Sequence, residues 1–327
     1  MQAIAGLSRS ISRALVQGVV QRSQSTEATQ KLADQDTKLV SAVSGFPKPG
    51  SSYNIDNILK GQIGDDAYFV ARHVDEWSTD FGETSSDDVA EVRGNADVIG
   101  VADGVGGWRA YGVDPGLFSV NLMKCCERLV VAGYFSGNQP SKLLAQGFRE
   151  MQENKQQIIG SSTACLMMLS HTDLKLYTAN IGDSGFLVLR QGEVVHRSQE
   201  QQHYFNTPFQ LSLPPPELQS EVLSDRPESA DQYEFSVEDG DVILMATDGI
   251  FDNVPDSLLI EEMNKVQNCK DRFRIQQCAN SIALMARKLS RDPKFLSPFC
   301  VNALAAGIVA EGGKPDDITV LLATVSL

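Results

Sequence analysis

The chain is poor in the residues that build several common kinds of site. Among 327 residues there are only four histidines, six cysteines and two tryptophans. His73, His171, His196 and His203 are scattered rather than paired at zinc-ligand spacing, which argues against a zinc centre. Cys125, Cys126, Cys165, Cys269, Cys278 and Cys300 include no pair separated by two residues, and several sit in apolar surroundings. They read as reduced, mostly buried thiols. Positive charge is also scarce: 28 lysines and arginines face 42 aspartates and glutamates, a net charge of -14. That balance argues against a nucleic-acid-binding surface, which needs cations clustered at phosphates. No apolar run is long enough to span a membrane, and no internal repeat is visible.

What is present centres on Val98-Ile99-Gly100-Val101-Ala102-Asp103-Gly104. An apolar run of strand-forming residues ends abruptly in an aspartate, and glycine follows at once. Asp241-Val242-Ile243-Leu244-Met245-Ala246-Thr247-Asp248-Gly249 repeats the design. One copy alone is ordinary turn chemistry. Two copies raise the alternative that paired strand ends converge carboxylates on hard cations, which prefer oxygen ligands.

Taken in order, residues 1–30 differ from the rest. Arg9, Arg13 and Arg22 stand among serines, the first acid is Glu27, and Ile4, Leu7, Ile11 and Leu15 fall at helical spacing. An Arg-rich, acid-poor amphipathic start fits a mitochondrial transit peptide, with a disordered basic tail as the other reading. Residues 31–59, with Pro47, Pro49 and Gly50, read as a linker or lead-in. Asp65-Asp66 precedes a strand, and Asp75 to Glu91 is an acidic loop. Leu117 to Val131 has helical periodicity after Asp114-Pro115, and Ser141 to about Gln156 reads as a second helix. Short apolar runs then alternate with turns from Thr163 to Val195, which indicates antiparallel strands. Residues 198–230, broken by Pro208, Pro214, Pro215, Pro216 and Pro227, read as a long loop or flap. Ser257 to Val266 and Arg272 to Leu289 read as helices, Gly312-Gly313-Lys314-Pro315 as a turn, and Ile318 to Val325 as the last strand. Strands and helices segregated in this way predict an α+β fold, with antiparallel sheets covered by helices.

Asp65, Asp66, Asp103, Asp183, Asp248 and Asp316 all sit at strand ends beside turns. Crowded carboxylates raise one another's pKa, and divalent cations relieve that cost. Two cations can also hold a water for in-line attack on phosphorus, so no cysteine or serine nucleophile is needed.

In these motifs the sequence resembles the metal-dependent type-2C protein serine/threonine phosphatases (the PPM family). The resemblance runs from about Lys60 to the C-terminus, as a domain over residues 60–327. It rests on Gly64-Asp65-Asp66-Ala67, Val101-Ala102-Asp103-Gly104, Ser161-Ser162-Thr163-Ala164, Asn180-Ile181-Gly182-Asp183-Ser184, Ala246-Thr247-Asp248-Gly249-Ile250-Phe251-Asp252 and Asp316-Asp317-Ile318-Thr319-Val320, in the family's order. Asp103 to Gly116 and Gln201 to Phe209 look like the mitochondrial, yeast PTC-seven-like subgroup. The resemblance implies a four-layer α/β/β/α sandwich with a metal cleft at one sheet edge, and phosphorylated proteins as substrates.

It also implies roles. Asp103 would bridge two Mn²⁺ or Mg²⁺ ions, the Gly104 carbonyl would ligate the second, and Asp248 and Asp316 the first. Asp65 and Asp66 would act mostly through metal-bound waters, and Asp183 with Asp248 would suit a weaker third ion. The catalytic weight falls on Asp103 and Asp248. Two departures stand out. Many members carry a histidine after the Asp-Gly pair as a proposed general acid, where this chain has Val105. Many carry an arginine before the acidic pair as a phosphate clamp, where the nearest cation here is Lys60, a point charge rather than a fork. His203 is a candidate for substrate contact, equally a packed loop histidine, and Trp108 reads as core or cleft wall. A small-molecule phosphoesterase and a non-catalytic binding module on the same fold are the alternative functions; the second is disfavoured because every direct ligand position is acidic.

Overall fold

The computed structural model describes residues 38–51, 54–74, 94–154 and 157–327. The amphipathic start over residues 1–30 and the acidic stretch from Asp75 to Glu91 lie outside them. In chain order, β1 (Leu39–Phe46) is followed by α1 (Ile55–Leu59), β2 (Gln62–Ile63), β3 (Asp66–His73) and β4 (Ala96–Asp103). A 3-10 segment at Gly106–Tyr111 precedes α2 (Pro115–Val131) and α3 (Pro140–Gln152). Next come β5 (Gly160–Ser162), β6 (Ala164–Ser170), β7 (Lys175–Ile181), β8 (Gly185–Arg190) and β9 (Glu193–Arg197). Short strands β10 (Gln202–Tyr204), β11 (Thr207–Pro208) and β12 (Leu211–Leu213) lead to β13 (Asp231–Ser236) and β14 (Val242–Ala246). The chain ends with α4 (Asp248–Phe251), α5 (Asp256–Asn264), α6 (Arg272–Leu289), α7 (Pro298–Ala305) and β15 (Ile318–Val325).

Two sheets carry the architecture. One has five strands in the order β1-β15-β14-β8-β9, the other six in the order β13-β7-β6-β4-β3-β2. Every pairing within them is antiparallel. Helices α2 and α3 cover the outer face of the six-stranded sheet, and α6 lies on β1 and β15. The result is the four-layer α/β/β/α sandwich of an α+β fold. Its central strands are buried on both faces, which is why they read as unbroken apolar runs, while the edge strands β9 and β13 stay partly exposed. In β6 every residue is buried. Leu166 and Met168 face the α2/α3 layer, while Cys165, Met167 and Leu169 face the middle layer between the sheets. In β15 Val320 and Leu322 turn to the α6 side, and Leu321 and Ala323 turn to the middle.

Local signals set the helices. Asp114 caps α2, its side chain accepting from the Gly116 N–H at 3.1 Å with Pro115 in the first turn. Phe118, Leu122, Met123, Cys126, Leu129 and Val130 form its buried face at helical spacing. Asp271 caps α6 in the same manner, accepting from the Phe273 N–H at 2.9 Å. The buried stripe of α6 is Ile275, Cys278, Ala279, Ile282, Ala283 and Ala286. No helix among the described residues is long and apolar enough to cross a membrane.

The structure departs from the sequence reading in three places. Residues 31–59 are not simply a lead-in. Leu39–Phe46 forms β1, an edge strand paired with β15 from Leu39↔Val325 to Phe46↔Ile318. Its prolines and glycine lie just past the strand end and mark a turn there. The 198–230 stretch contains short strands as well as loop, and β12 pairs with β5. Finally, β13 and α7 were not anticipated. In α7 the start signal was nonetheless present, since Ser297 caps it with Pro298 in its first turn.

β1 therefore belongs to the core, and Val43 is only 5% exposed in the layer between the sheets. Val43→Asp would bury a carboxylate with no partner there. It should lower unfolding stability in urea by roughly 3 kcal/mol or more. An unchanged urea midpoint would return this segment to the status of a lead-in.

Candidate metal centre

The site lies where ends of the two sheets meet. Asp66 opens β3, Asp103 closes β4, and the two stand directly opposite each other in the antiparallel register. Asp248 opens α4 immediately after β14, and Asp183 follows β7. Asp316 lies just ahead of β15, the strand that pairs with both β1 and β14. Strand ends and the turns beside them thus bring five carboxylates to one place. Asp103, Asp183, Asp248 and Asp316 line a cleft of about 260 Å³ together with Gly104, Val105, Thr163, Asn206, Pro208, Lys48 and Lys314.

Burial and mutual repulsion mark these groups. Asp103 is pushed well above the ordinary carboxylate range, first by desolvation and then by the charges of Asp66, Asp248, Asp316 and Asp183. Desolvation, with Asp317 and Asp248, does the same to Asp66, against hydrogen bonds that lower it. Asp183 is raised by desolvation and Asp248, partly offset by Lys314. Asp316 is pushed up to about 7 by burial and then by Asp248, with Lys314 and Lys48 opposing.

The hydrogen bonds leave specific oxygens free. Thr247 Oγ1 donates to Asp66 Oδ2 at 2.8 Å, which ties the end of one sheet to the other. Lys314 Nζ donates to Asp248 Oδ2 at 2.6 Å. The second oxygens, Asp66 Oδ1 and Asp248 Oδ1, are buried and have no hydrogen-bond partner. An acceptor in that state normally has a partner. A cation with oxygen preference supplies one, and an all-carboxylate donor set suits Mg²⁺ or Mn²⁺ rather than a soft metal. Among the described residues no three such side chains already close on a single point. Lys314 reaches between Asp248 and Asp252, at 2.6 Å from each. The fit therefore rests on the orphaned oxygens and the crowded charge.

Backbone geometry supports the cleft. The Asp103 N–H donates to Thr163 Oγ1, and the Thr163 N–H returns a bond to the Asp103 carbonyl, both at 3.0 Å. Gly104 is required by close approach: a Cβ there would stand 2.4 Å from the Pro115 carbonyl oxygen. Gly64 has φ +65, and a Cβ would meet the Asp317 carboxylate at 1.8 Å. Only glycine combines that conformation with that contact.

Other candidates fall elsewhere. The Asp65 carboxylate is occupied by two cations, Lys48 Nζ at 2.6 Å and the Arg109 guanidinium. Asp65 thus stands beside the cluster with its charge already matched. Lys60 is an exposed residue at the end of α1, away from the cleft lining, whereas Lys48 lines it. His203 lies on the short strand β10, pairs with Asp225 Oδ2 at 2.9 Å and stacks on Phe209 at 4.3 Å, so its ring is already engaged within the protein. Trp108 is buried, its Nε1 donating to Ser161 Oγ at 2.7 Å. The sequence reading gives no role to Lys48, Lys314, Asp252 or Asp317, although Asp252 and Asp317 stand within its motifs. Lys48 was hidden in the supposed lead-in and Lys314 in a turn. A lone cation carries no periodic signal.

Comparison with known proteins follows the same lines. Residues 97–326 match the family described as Stage II sporulation protein E (SpoIIE). The chain is 51% identical over 294 residues to the Protein phosphatase PTC7 homolog of Xenopus laevis, covering 89% of this chain and 91% of that protein. It is 46% identical over 327 residues to the Protein phosphatase PTC7 homolog of Danio rerio, covering 100% and 99%. It is similar in structure to the photosystem II phosphatase PBCP, at 27% identity and a TM-score of 0.66 over 88% of this chain and 99% of that one. The catalytic domain of serine threonine protein phosphatase PstP, in complex with 2 manganese ions, shares the fold at 15% identity and a TM-score of 0.51. That likeness covers 88% of this chain and 99% of the other.

The raised carboxylates have a measurable consequence. In an unfolded chain these aspartates titrate near the ordinary value of about 3.9. The folded, cation-free site binds protons more tightly than that, so its stability is greatest at low pH. It falls as pH rises through about 7, where Asp316 ionises. A divalent cation needs the ionised form, so its stabilisation grows across the same window. The rise in Tm on adding saturating Mn²⁺ should be larger at pH 8 than at pH 6 by roughly 2–4 °C. An equal shift at the two pH values would show that these carboxylates are not what the cation binds.

Proposed function

The chain belongs to the metal-dependent protein serine/threonine phosphatases of type 2C, in the subgroup of the PTC7 homologues, and from that membership we propose how its own residues carry the reaction. The substrate is a phosphoserine or phosphothreonine side chain on a protein, and the products are the free hydroxyl and inorganic phosphate. Asp66, Asp103, Asp248 and Asp316, with the Gly104 carbonyl, hold two divalent cations, Mn²⁺ or Mg²⁺. When bound, such a pair supplies an activated water and charge neutralisation for in-line displacement at phosphorus. The observation that carries this reading is the pair of buried, unpartnered oxygens Asp66 Oδ1 and Asp248 Oδ1 inside a cluster where burial and then neighbouring carboxylates push Asp66 and Asp103 well above the ordinary range.

The remaining work falls to the protein. Thr163 fixes the backbone of Asp103 from both sides, and Thr247 holds one oxygen of Asp66 so that the other faces inward. Lys48 takes the place that the resemblance gave to Lys60, as the cation that attracts the phosphate dianion. Burial alone would lower the Lys48 ammonium, but its hydrogen bond to Asp65 and the nearby charges hold it above the ordinary lysine value. It therefore acts as a fixed charge rather than a proton donor. Val105 offers no proton either, so the leaving alkoxide draws its proton from solvent held in the cleft. The net charge of -14 supports a protein substrate over a nucleic acid. The Arg-bearing, acid-poor start supports import into the mitochondrial matrix.

Three outcomes are expected. Dephosphorylation of a phosphothreonine peptide should stop in EDTA and return with Mn²⁺. Asp103→Asn should lower single-turnover rate at saturating Mn²⁺ at least roughly a hundredfold, about 2.7 kcal/mol, while remaining folded. Full activity in EDTA, or a folded Asp103→Asn protein at near-wild-type rate, would sink the two-cation site. For location, a chain lacking residues 1–30 should stay active but fail to enter isolated mitochondria. Undiminished import would place the address elsewhere.

A further inference from the structure

Lys314 lies in the turn before β15, between Gly313 and Pro315. Its ammonium stands 2.6 Å from Asp248 Oδ2, 2.6 Å from Asp252 Oδ2 and 3.8 Å from Asp316 Oδ2. This placement is built rather than incidental. The Lys314 N–H donates to Asn253 Oδ1 at 2.8 Å, and its carbonyl accepts from Asn253 Nδ2 at 2.9 Å. Asn253 is itself fully buried and donates also to the Gly249 carbonyl, which fastens the turn to α4. The Phe299 ring covers the ammonium, 5.2 Å from Nζ to the ring centroid. Asp248 and Asp252 are one helical turn apart on and just past α4, so their carboxylates share a face. Asp183 feels the same ammonium.

The resemblance places a weaker third divalent cation with Asp183 and Asp248. Such an ion would need the lone pairs of Asp248, and those on its Oδ2 are already engaged by the ammonium that also holds Asp252. A dication cannot share them at contact distance, because like charges repel strongly in a partly desolvated site. We propose that Lys314 is a built-in third cation, which holds the place between Asp183, Asp248 and Asp252 so that the chain takes two divalent ions and not three. This inference rests on the two-cation reading above. Lys314 acts as a positioning residue: by engaging Asp248 Oδ2 it leaves Asp248 Oδ1, the unpartnered oxygen, as the one presented to a metal.

Counting bound Mn²⁺ on the full chain tests this, by the loss of the free-ion electron paramagnetic resonance signal through the millimolar range. The wild type should bind two ions. Lys314→Met should bind a third, Lys314→Arg should stay at two because it keeps the charge, and Lys314→Met with Asp252→Asn should return to two. Asp252→Asn alone should also keep two. Three ions on the wild type would overturn the proposal while leaving the two-cation site standing. Loss of an ion in Asp252→Asn alone would overturn it as well, by making Asp252 a metal ligand, and this variant decides the matter even if Lys314→Met does not fold. A wild type that binds no Mn²⁺ would remove the reading underneath it.

Discussion

Repulsion among buried carboxylates is the constraint on which the cleft depends. Asp66 and Asp103 are paired directly across β3 and β4, an arrangement that is unfavourable for like charges. It persists because the backbone on either side is pinned by ladder bonds, and because positive charge is delivered from outside the six-stranded sheet. Lys48 comes from the turn after β1, and Lys314 from the turn before β15. These turns adjoin because β1 and β15 run antiparallel with Phe46 opposite Ile318. One strand pair therefore both closes the edge of the five-stranded sheet and brings two ammonium groups to the carboxylates. This makes β1 a functional element as much as a structural one.

The doubled acids, Asp65-Asp66 and Asp316-Asp317, divide between two tasks. Asp66 and Asp316 join the cluster. Their neighbours hold the frame: Asp317 Oδ2 accepts from the Asp65 N–H at 3.0 Å, and Asp317 Oδ1 accepts from the Lys48 N–H at 2.7 Å. Asp65 in turn holds Lys48 and Arg109. Asp317 is a case where the amide of an asparagine would supply one acceptor oxygen and not two. Both of its oxygens are used here, on two different backbone N–H groups.

The sequence was most informative where a residue's role follows from its own neighbourhood. Apolar runs ending in Asp-Gly place Asp103 and Asp248 at strand ends, without the short helix that Asp248 opens, and the periodicity of α6 marks both of its ends. Asp183 and Asp316 followed from turns beside strands. What escaped depends on contacts between distant segments. The bond from the Asp65 N–H to Asp317 spans 252 residues, and Lys48 reaches Asp317 across 269. Lys60 was the nearest cation along the chain, but it stays exposed at the end of α1. The register of β1 on β15 carries Lys48 to the cleft instead, and nothing local to Lys48 encodes that. β1 itself was obscured because Pro47 and Pro49 dominate the reading of their surroundings while stopping short of the strand.

No side chain in the cleft takes the part of a nucleophile. Five of the six cysteines are buried, and burial pushes the thiols of Cys126, Cys165 and Cys278 up, which disfavours the reactive thiolate. The chemistry must then come through what the carboxylates bind. The same groups that bind it carry the desolvation and repulsion described above, so the cation-free fold holds its least favourable electrostatics in its working part. Neutral residues at Asp66, Asp103 or Asp316 would relieve that strain and leave nothing to hold a dication. Stability without the metal and activity with it are therefore opposed at these positions. The two lysines mark how far the chain itself goes in resolving the conflict. They compensate the charge of Asp65, Asp248, Asp252 and Asp317, and they leave an inward oxygen on Asp66 and another on Asp248 unsatisfied.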